Sequence, residues 1–168
     1  MNIKLKKNCK FCCFCILIFT IGCRNIDCPL ENTVLVGSKL YYSDTDVSNV
    51  TLDTLLVTAL GTDSLMSCQK ANLQMSFPLR YSLNNDTLLL SFMRNGQIHT
   101  TDTLYLEHTN TIHFENIDCP PAVFSELKTI SWGNQQDGKV VVDSASISSP
   151  IVNYNGTENI KIFVHYNN

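Results

Sequence analysis

From residue 33 to the C-terminus the chain reads as a series of strands, and in several of them apolar and polar positions alternate with a period of two. Between Asn72 and Leu79 the side chains of Leu73, Met75, Phe77 and Leu79 fall on one face, and Asn72, Gln74 and Ser76 on the other. That period marks a half-buried strand, and Pro78 near its end marks an edge position or the strand's close. The last segment repeats the pattern, with Ile160, Ile162, Val164 and Tyr166 alternating with Lys161, Phe163 and His165. Thr33–Tyr42 is rich in β-branched and aromatic residues, with Gly37 as a bulge position, and Thr51–Leu60 is closed by Gly61. Thr87–Arg94 and Gln97–His108 flank Asn95-Gly96, a strong two-residue hairpin signal. Thr111–Asn116, Lys139–Ser148 and Asn159–Tyr166 complete the expected strands. One segment alone offers a helix. Val123, Phe124, Leu127 and Ile130 fit helical spacing within Val123–Ser131 behind Pro120-Pro121, with a strand as the alternative. Short strands, frequent turn signals and no βαβ rhythm predict an all-β fold. The expected form is an antiparallel β-sandwich, immunoglobulin- or transthyretin-like, with a small closed β-barrel as the alternative.

The first residues depart from this pattern. Lys4, Lys6, Lys7 and Lys10 precede an apolar run from Phe11 to Ile21, then Gly22 and Cys23. This is the order of an export signal, and the run is too short for the roughly 20 residues of a spanning helix. Thr20-Ile21-Gly22-Cys23 resembles the bacterial lipobox, in which the cysteine is acylated and becomes the new N-terminus; Thr20 replaces the usual Leu. The expected organisation is a signal peptide over 1–22, a lipidated tether over 23–32 and one β-sandwich domain over 33–168. By resemblance to other bacterial lipoproteins, Arg24 rather than Asp after the lipidated Cys23 favours the outer membrane. The tether reaches at most ~35 Å at roughly 3.4 Å per residue, which keeps the domain close to the bilayer.

Charge then excludes a class of partner. Loss of the signal peptide lowers the basic residues from 12 to 8 against 15 acidic ones, and the net charge from −3 to −7. Nucleic acid needs clustered Lys and Arg, so it is not expected, and membrane attachment falls to the lipid.

Of the 8 cysteines, Cys9, Cys12, Cys13 and Cys15 lie in the signal peptide and Cys23 carries the lipid. Cys28, Cys68 and Cys119 remain, and an oxidising compartment favours one pair with one thiol left over. Asn25-Ile26-Asp27-Cys28-Pro29 recurs letter for letter as Asn116-Ile117-Asp118-Cys119-Pro120. The repeat favours Cys28–Cys119 over a pair that uses Cys68, which would then be a buried apolar thiol. Such a bridge closes about 90 residues and adds ~4–5 kcal/mol by chain entropy.

Candidate chemistry is sparse. Asp-Thr-Leu recurs at Asp53, Asp86 and Asp102, with relatives at Asp63-Ser64 and Asp143-Ser144. Turn chemistry explains the pattern: Asp bonds nearby backbone, Thr opens a strand and Leu starts the core face. The pattern also resembles the O-glycosylation motif of some Gram-negative bacteria, which makes Thr54, Ser64, Thr87, Thr103 and Ser144 candidate acceptors. His108 and His113 lie across an expected turn at Thr109-Asn110, but no third ligand stands at a persuasive spacing, so no metal or other cofactor is expected. Neither a nucleophile elbow nor a phosphate-binding loop occurs. Trp132, in the polar stretch Ser131–Gly138, either caps the core or forms a sugar-stacking platform.

Leu52–Leu55, Gly61–Leu65, Asp102–Leu104 with His108-Thr109, Cys119 and the tail Asn153–Ile162 together resemble an uncharacterised family of Gram-negative bacterial lipoproteins, domain of unknown function 6452. The resemblance implies a cysteine near the anchor and another about two thirds along, matching Cys28 and Cys119; it implies no activity and no catalytic residue. Pro120 stands where the family pattern has Gly. The expected function is a non-catalytic binding or envelope-structural module, anchored to the membrane by lipid, with another envelope protein or a glycan as partner. The alternatives are a carbohydrate-binding module and a small hydrolase accessory subunit.

Overall fold

The computed structural model describes residues 28, 33–43, 52, 54–61, 65–70, 74–133, 135 and 137–167, without the side chains of 67–70. The segment 1–22 expected to be a signal peptide, Cys23, Ser64 and the Cys68 side chain lie outside the described residues. Every regular element described is a strand: β1 (Leu35–Tyr42), β2 (Thr54–Ala59), β3 (Leu65–Lys70), β4 (Gln74–Pro78), β5 (Asn85–Arg94), β6 (Gln97–His113), β7 (Ala122–Trp132), β8 (Val140–Ile147), β9 (Ile151–Val152) and β10 (Glu158–Tyr166).

The strands form two sheets, ordered β4-β1-β10-β8 and β3-β2-β5-β6-β7-β9. Their inner faces meet in one core. Val36, Leu40, Met75, Phe77, Ile160, Ile162 and Val164 come from the first sheet, and Leu55, Val57, Leu88, Leu90, Phe92, Leu104, Leu106 and Leu127 from the second. The period of two produces this layering, because it sends alternate side chains to the core and to the outer face. The sandwich is antiparallel except at one place: β1 and β10 run parallel, Leu40 opposite Ile162 and Tyr41 opposite Phe163.

Local chemistry explains several joints. Asn95 (φ 51°) and Gly96 (φ 75°) take the left-handed conformations of a tight hairpin turn between β5 and β6. At Gly37 the β1–β10 register shifts, and a Cβ there would stand 2.6 Å from the Thr157 carbonyl oxygen, so only glycine fits. Asn159, 2% exposed, closes that corner: its Oδ1 accepts from the Gly37 amide at 3.0 Å, and its Nδ2 donates to the Ser149 and Ile151 carbonyls. Cys28 and Cys119 are joined by a disulfide, with Cα atoms 5.5 Å apart.

The structure decides one open reading and changes two others. The segment Val123–Ser131, read as helix or strand, is the strand β7: its inner residues Ser125 and Leu127 face the core while Phe124 lies on the other face. No turn occurs at Thr109-Asn110; β6 runs through it unbroken, with a register shift against β7 between Glu107 and His108. The strands β3 and β9, absent from the reading of the pattern, fill the two edges of the larger sheet.

Candidate functional site

The inner face of β6 is apolar in the middle, at Leu104 and Leu106, and polar towards both ends, at Asp102 and His108. His108 is 1% exposed. Its Nε2 lies 3.0 Å from Asp86 Oδ2 and its Nδ1 3.0 Å from Asn110 Oδ1, so both ring nitrogens face oxygens. Asp86 also accepts from the Arg80 amide at 3.1 Å and from Arg80 Nε at 2.6 Å. Asn110 Nδ2 donates towards the carbonyls of Arg80, Tyr81 and Leu83, which fixes its amide orientation, and Ser125 Oγ donates to its Oδ1 at 2.8 Å. This network ties the Arg80–Leu83 turn to β5, β6 and β7. Its acid and imidazole have essentially no contact with solvent, and their bonding capacity is taken up by protein groups.

The other sequence-predicted residues are spread out. His113 sits on the face of β6 opposite to His108, stacked on Phe124 with ring centroids 4.2 Å apart. Among the described residues no group of three His, Cys, Asp or Glu is placed to hold a metal ion. Trp132 is half-buried and packs against the core. Thr54, Thr87, Thr103 and Ser144 are half-buried strand residues on four different strands. Asp86 and Asp102, the acids preceding Thr87 and Thr103, point inward and are 4% and 3% exposed. The Asp102 motif does not open a strand, as turn chemistry would have it. It lies inside β6, with Asp102 Oδ1 accepting from the Thr103 amide at 2.6 Å.

The richest surface is one the pattern did not single out: the outer face of the four-stranded sheet. The parallel β1–β10 register sets Lys39 opposite Lys161 and Tyr41 opposite Phe163. The two rings stack at 5.4 Å, and Lys39 Nζ and Lys161 Nζ lie 5.3 Å and 5.7 Å from the Tyr41 ring centroid. Tyr41 donates its hydroxyl to Glu158 Oε2 at 2.8 Å, and Lys161 stands 3.8 Å from the same carboxylate. That hydrogen bond holds the Tyr41 phenol above the ordinary tyrosine range, with burial and the charge of Glu158 adding to it. Beside Glu158 opens a cleft of about 310 Å³ lined by Gly37, Ser38, Gln74, Met75, Ser76, Gly156, Thr157 and Glu158. The lining is largely polar, which suits a hydroxylated ligand better than an apolar one. A signal for this face is in the sequence: Lys39-Leu40-Tyr41 and Lys161-Ile162-Phe163 share the order Lys, aliphatic, aromatic. Only the register shows that the two copies are neighbours.

Ser43, Asp143 and His165 meet at the far end of the same sheet. Ser43 Oγ donates to Asp143 Oδ2, and His165 Nδ1 lies 2.6 Å from Asp143 Oδ1. The residue types match a nucleophilic triad, but the order does not. The carboxylate stands between serine and imidazole, whereas activation of serine needs the imidazole there.

The model of a family of unknown function, DUF6452, matches residues 54–164. No curated protein and no solved structure matches the chain.

Proposed function

This chain belongs to the family of unknown function DUF6452, and we propose that it is a lipid-anchored, non-catalytic binding module of the cell envelope. Cys23 holds it on the outer membrane, and the outer face of the four-stranded sheet takes an acidic glycan. The observation that carries this reading is Lys39 set directly opposite Lys161, over Tyr41 and beside the polar cleft. Like charges directly opposite each other weaken a sheet. The mature chain holds 8 basic residues against 15 acidic ones, yet two of the 8 share this one register position. A ligand carrying carboxylates would offset their repulsion, while Gln74, Ser76 and Glu158 offer hydrogen bonds to its hydroxyls. The closed Asp86–His108 pair and the carboxylate-centred Ser43–Asp143–His165 cluster support a non-catalytic role.

Titration calorimetry of the mature protein against a uronic-acid polysaccharide and a neutral one of similar size tests the proposal. The acidic glycan is expected to bind and the neutral one not, with binding lost in a Lys39→Ala, Lys161→Ala double variant that keeps its circular dichroism. Equal affinity for both glycans, or full binding by the double variant, would overturn it.

A further inference from the structure

Ile117, Ile112 and Phe114 are the three most exposed large apolar side chains among the described residues, at 93%, 64% and 63%, and all fall within one six-residue stretch. Single exposed apolar residues are ordinary, but such a cluster marks a contact surface. The cluster is also held up rather than left loose. The β6–β7 ribbon stays paired to its tip, where His113 lies opposite Ala122. Phe124, stacked on His113, meets the Tyr154 ring edge-on at 5.1 Å. The Cys119 amide donates to the Asn116 carbonyl, and Cys119 is bonded to Cys28.

That disulfide says what covers the tip. Cys28 stands five residues after Cys23 in the sequence. Five residues extend at most ~17 Å, so an acyl group on Cys23 places the bilayer within that distance of the disulfide-bonded segment that carries Ile117. We infer that the β6–β7 tip inserts Ile112, Phe114 and Ile117 into the interface of the phospholipid leaflet that holds the lipid anchor, fixing the orientation of the domain. The inference rests on the lipidation of Cys23. The exposed acids Glu115 and Asp118 flank Ile117, and the mature chain is acidic, so the leaflet it fits is zwitterionic rather than anionic.

The mature lipoprotein, reconstituted in phosphatidylcholine–phosphatidylethanolamine vesicles, provides the test. Trp132, the single tryptophan, is replaced in a Trp132→Phe background, and Ile117→Trp then reports on the tip. Its emission is expected to fall by about half or more with lipids brominated at the ~5–10 Å depth that interfacial side chains reach. Ile98→Trp, near the opposite end of β6, is expected to stay unquenched, and added phosphatidylglycerol to weaken quenching at 117. Mass spectrometry of the N-terminal peptide separates the two ideas. An acylated Cys23 with an unquenched Trp at 117 would overturn the tip contact and leave the anchor standing. A Cys23 without acyl groups would overturn both.

Discussion

The imidazole of His108 and the carboxylate of Asp86 lie 3.0 Å apart with side chains 0% and 4% exposed. Neither group can turn to water if its partner is lost, so the pair and its neighbours behave as one unit. Asp86→Ala leaves His108 Nε2 and the Arg80 amide facing an apolar methyl. Leaving buried hydrogen-bonding groups without their partner costs about 1–3 kcal/mol, and urea unfolding should show a loss of that size. Asn110→Asp should also destabilise, because a carboxylate cannot donate to the carbonyls of Arg80, Tyr81 and Leu83. A midpoint within error of the parent in both variants would refute the network's structural role.

Gly37→Ala should lower the melting temperature. The added Cβ would meet the Thr157 backbone oxygen at 2.6 Å, and a backbone atom cannot swing aside. Overpacking of this kind costs about 1–3 kcal/mol. The strain should also disturb the Gly37–Asn159 hydrogen bond, so amide exchange at residue 37 should quicken along with the melting shift.

Ser38→Ala should do the opposite. The Ser38 hydroxyl is buried, and among the described residues it has no hydrogen-bond partner. An orphan of this kind costs about 1–3 kcal/mol. Its removal should raise the denaturant midpoint with an unchanged slope. A lower midpoint would mean that the hydroxyl has a partner, and that the wall of the cleft depends on it.

Tyr41 supplies a pH dependence. Its folded-state pKa is raised, chiefly by the hydrogen bond to Glu158. The associated stability is therefore fully present below the unfolded tyrosine value and is lost as pH rises through the higher folded one. Tyrosinate absorbance, read as the difference between the parent and Tyr41→Phe, should show a midpoint above the ordinary value of 10.0. Glu158→Gln should bring that midpoint down, since it removes the charged acceptor. An unmoved midpoint would show that Glu158 is not the cause.

The strands were legible where a segment's own alternation or turn chemistry marks it, whichever strand it pairs with. Leu73 to Leu79 and Ile160 to Tyr166 announce their inner faces by alternation, and Asn95-Gly96 announces its own turn, because both signals come from the backbone of the residues that carry them. Asn110 misleads for the opposite reason. Asparagine favours turns through bonds to nearby backbone, but here its amide bonds the loop of Arg80, Tyr81 and Leu83, about thirty residues away. The apolar positions of β7 read as helical because both of its faces are partly covered: Leu127 lies in the core, and Phe124 is held on the outer face between His113 and Tyr154.

The sequence by itself determined the all-β class, the hairpin at Asn95-Gly96 and, through the repeated pentapeptide, which two cysteines are alike. These follow from local periodicity, backbone preference and composition. Only the tertiary structure decided that β1 and β10 lie side by side and parallel, which brings Lys39 to Lys161 and Tyr41 to Phe163. It also decided that His108 is sealed inside while Ile117 stands in the open. The first outcome depends on a pairing across more than a hundred residues, and the second on which segments close over each end of β6; the local alternation specifies neither.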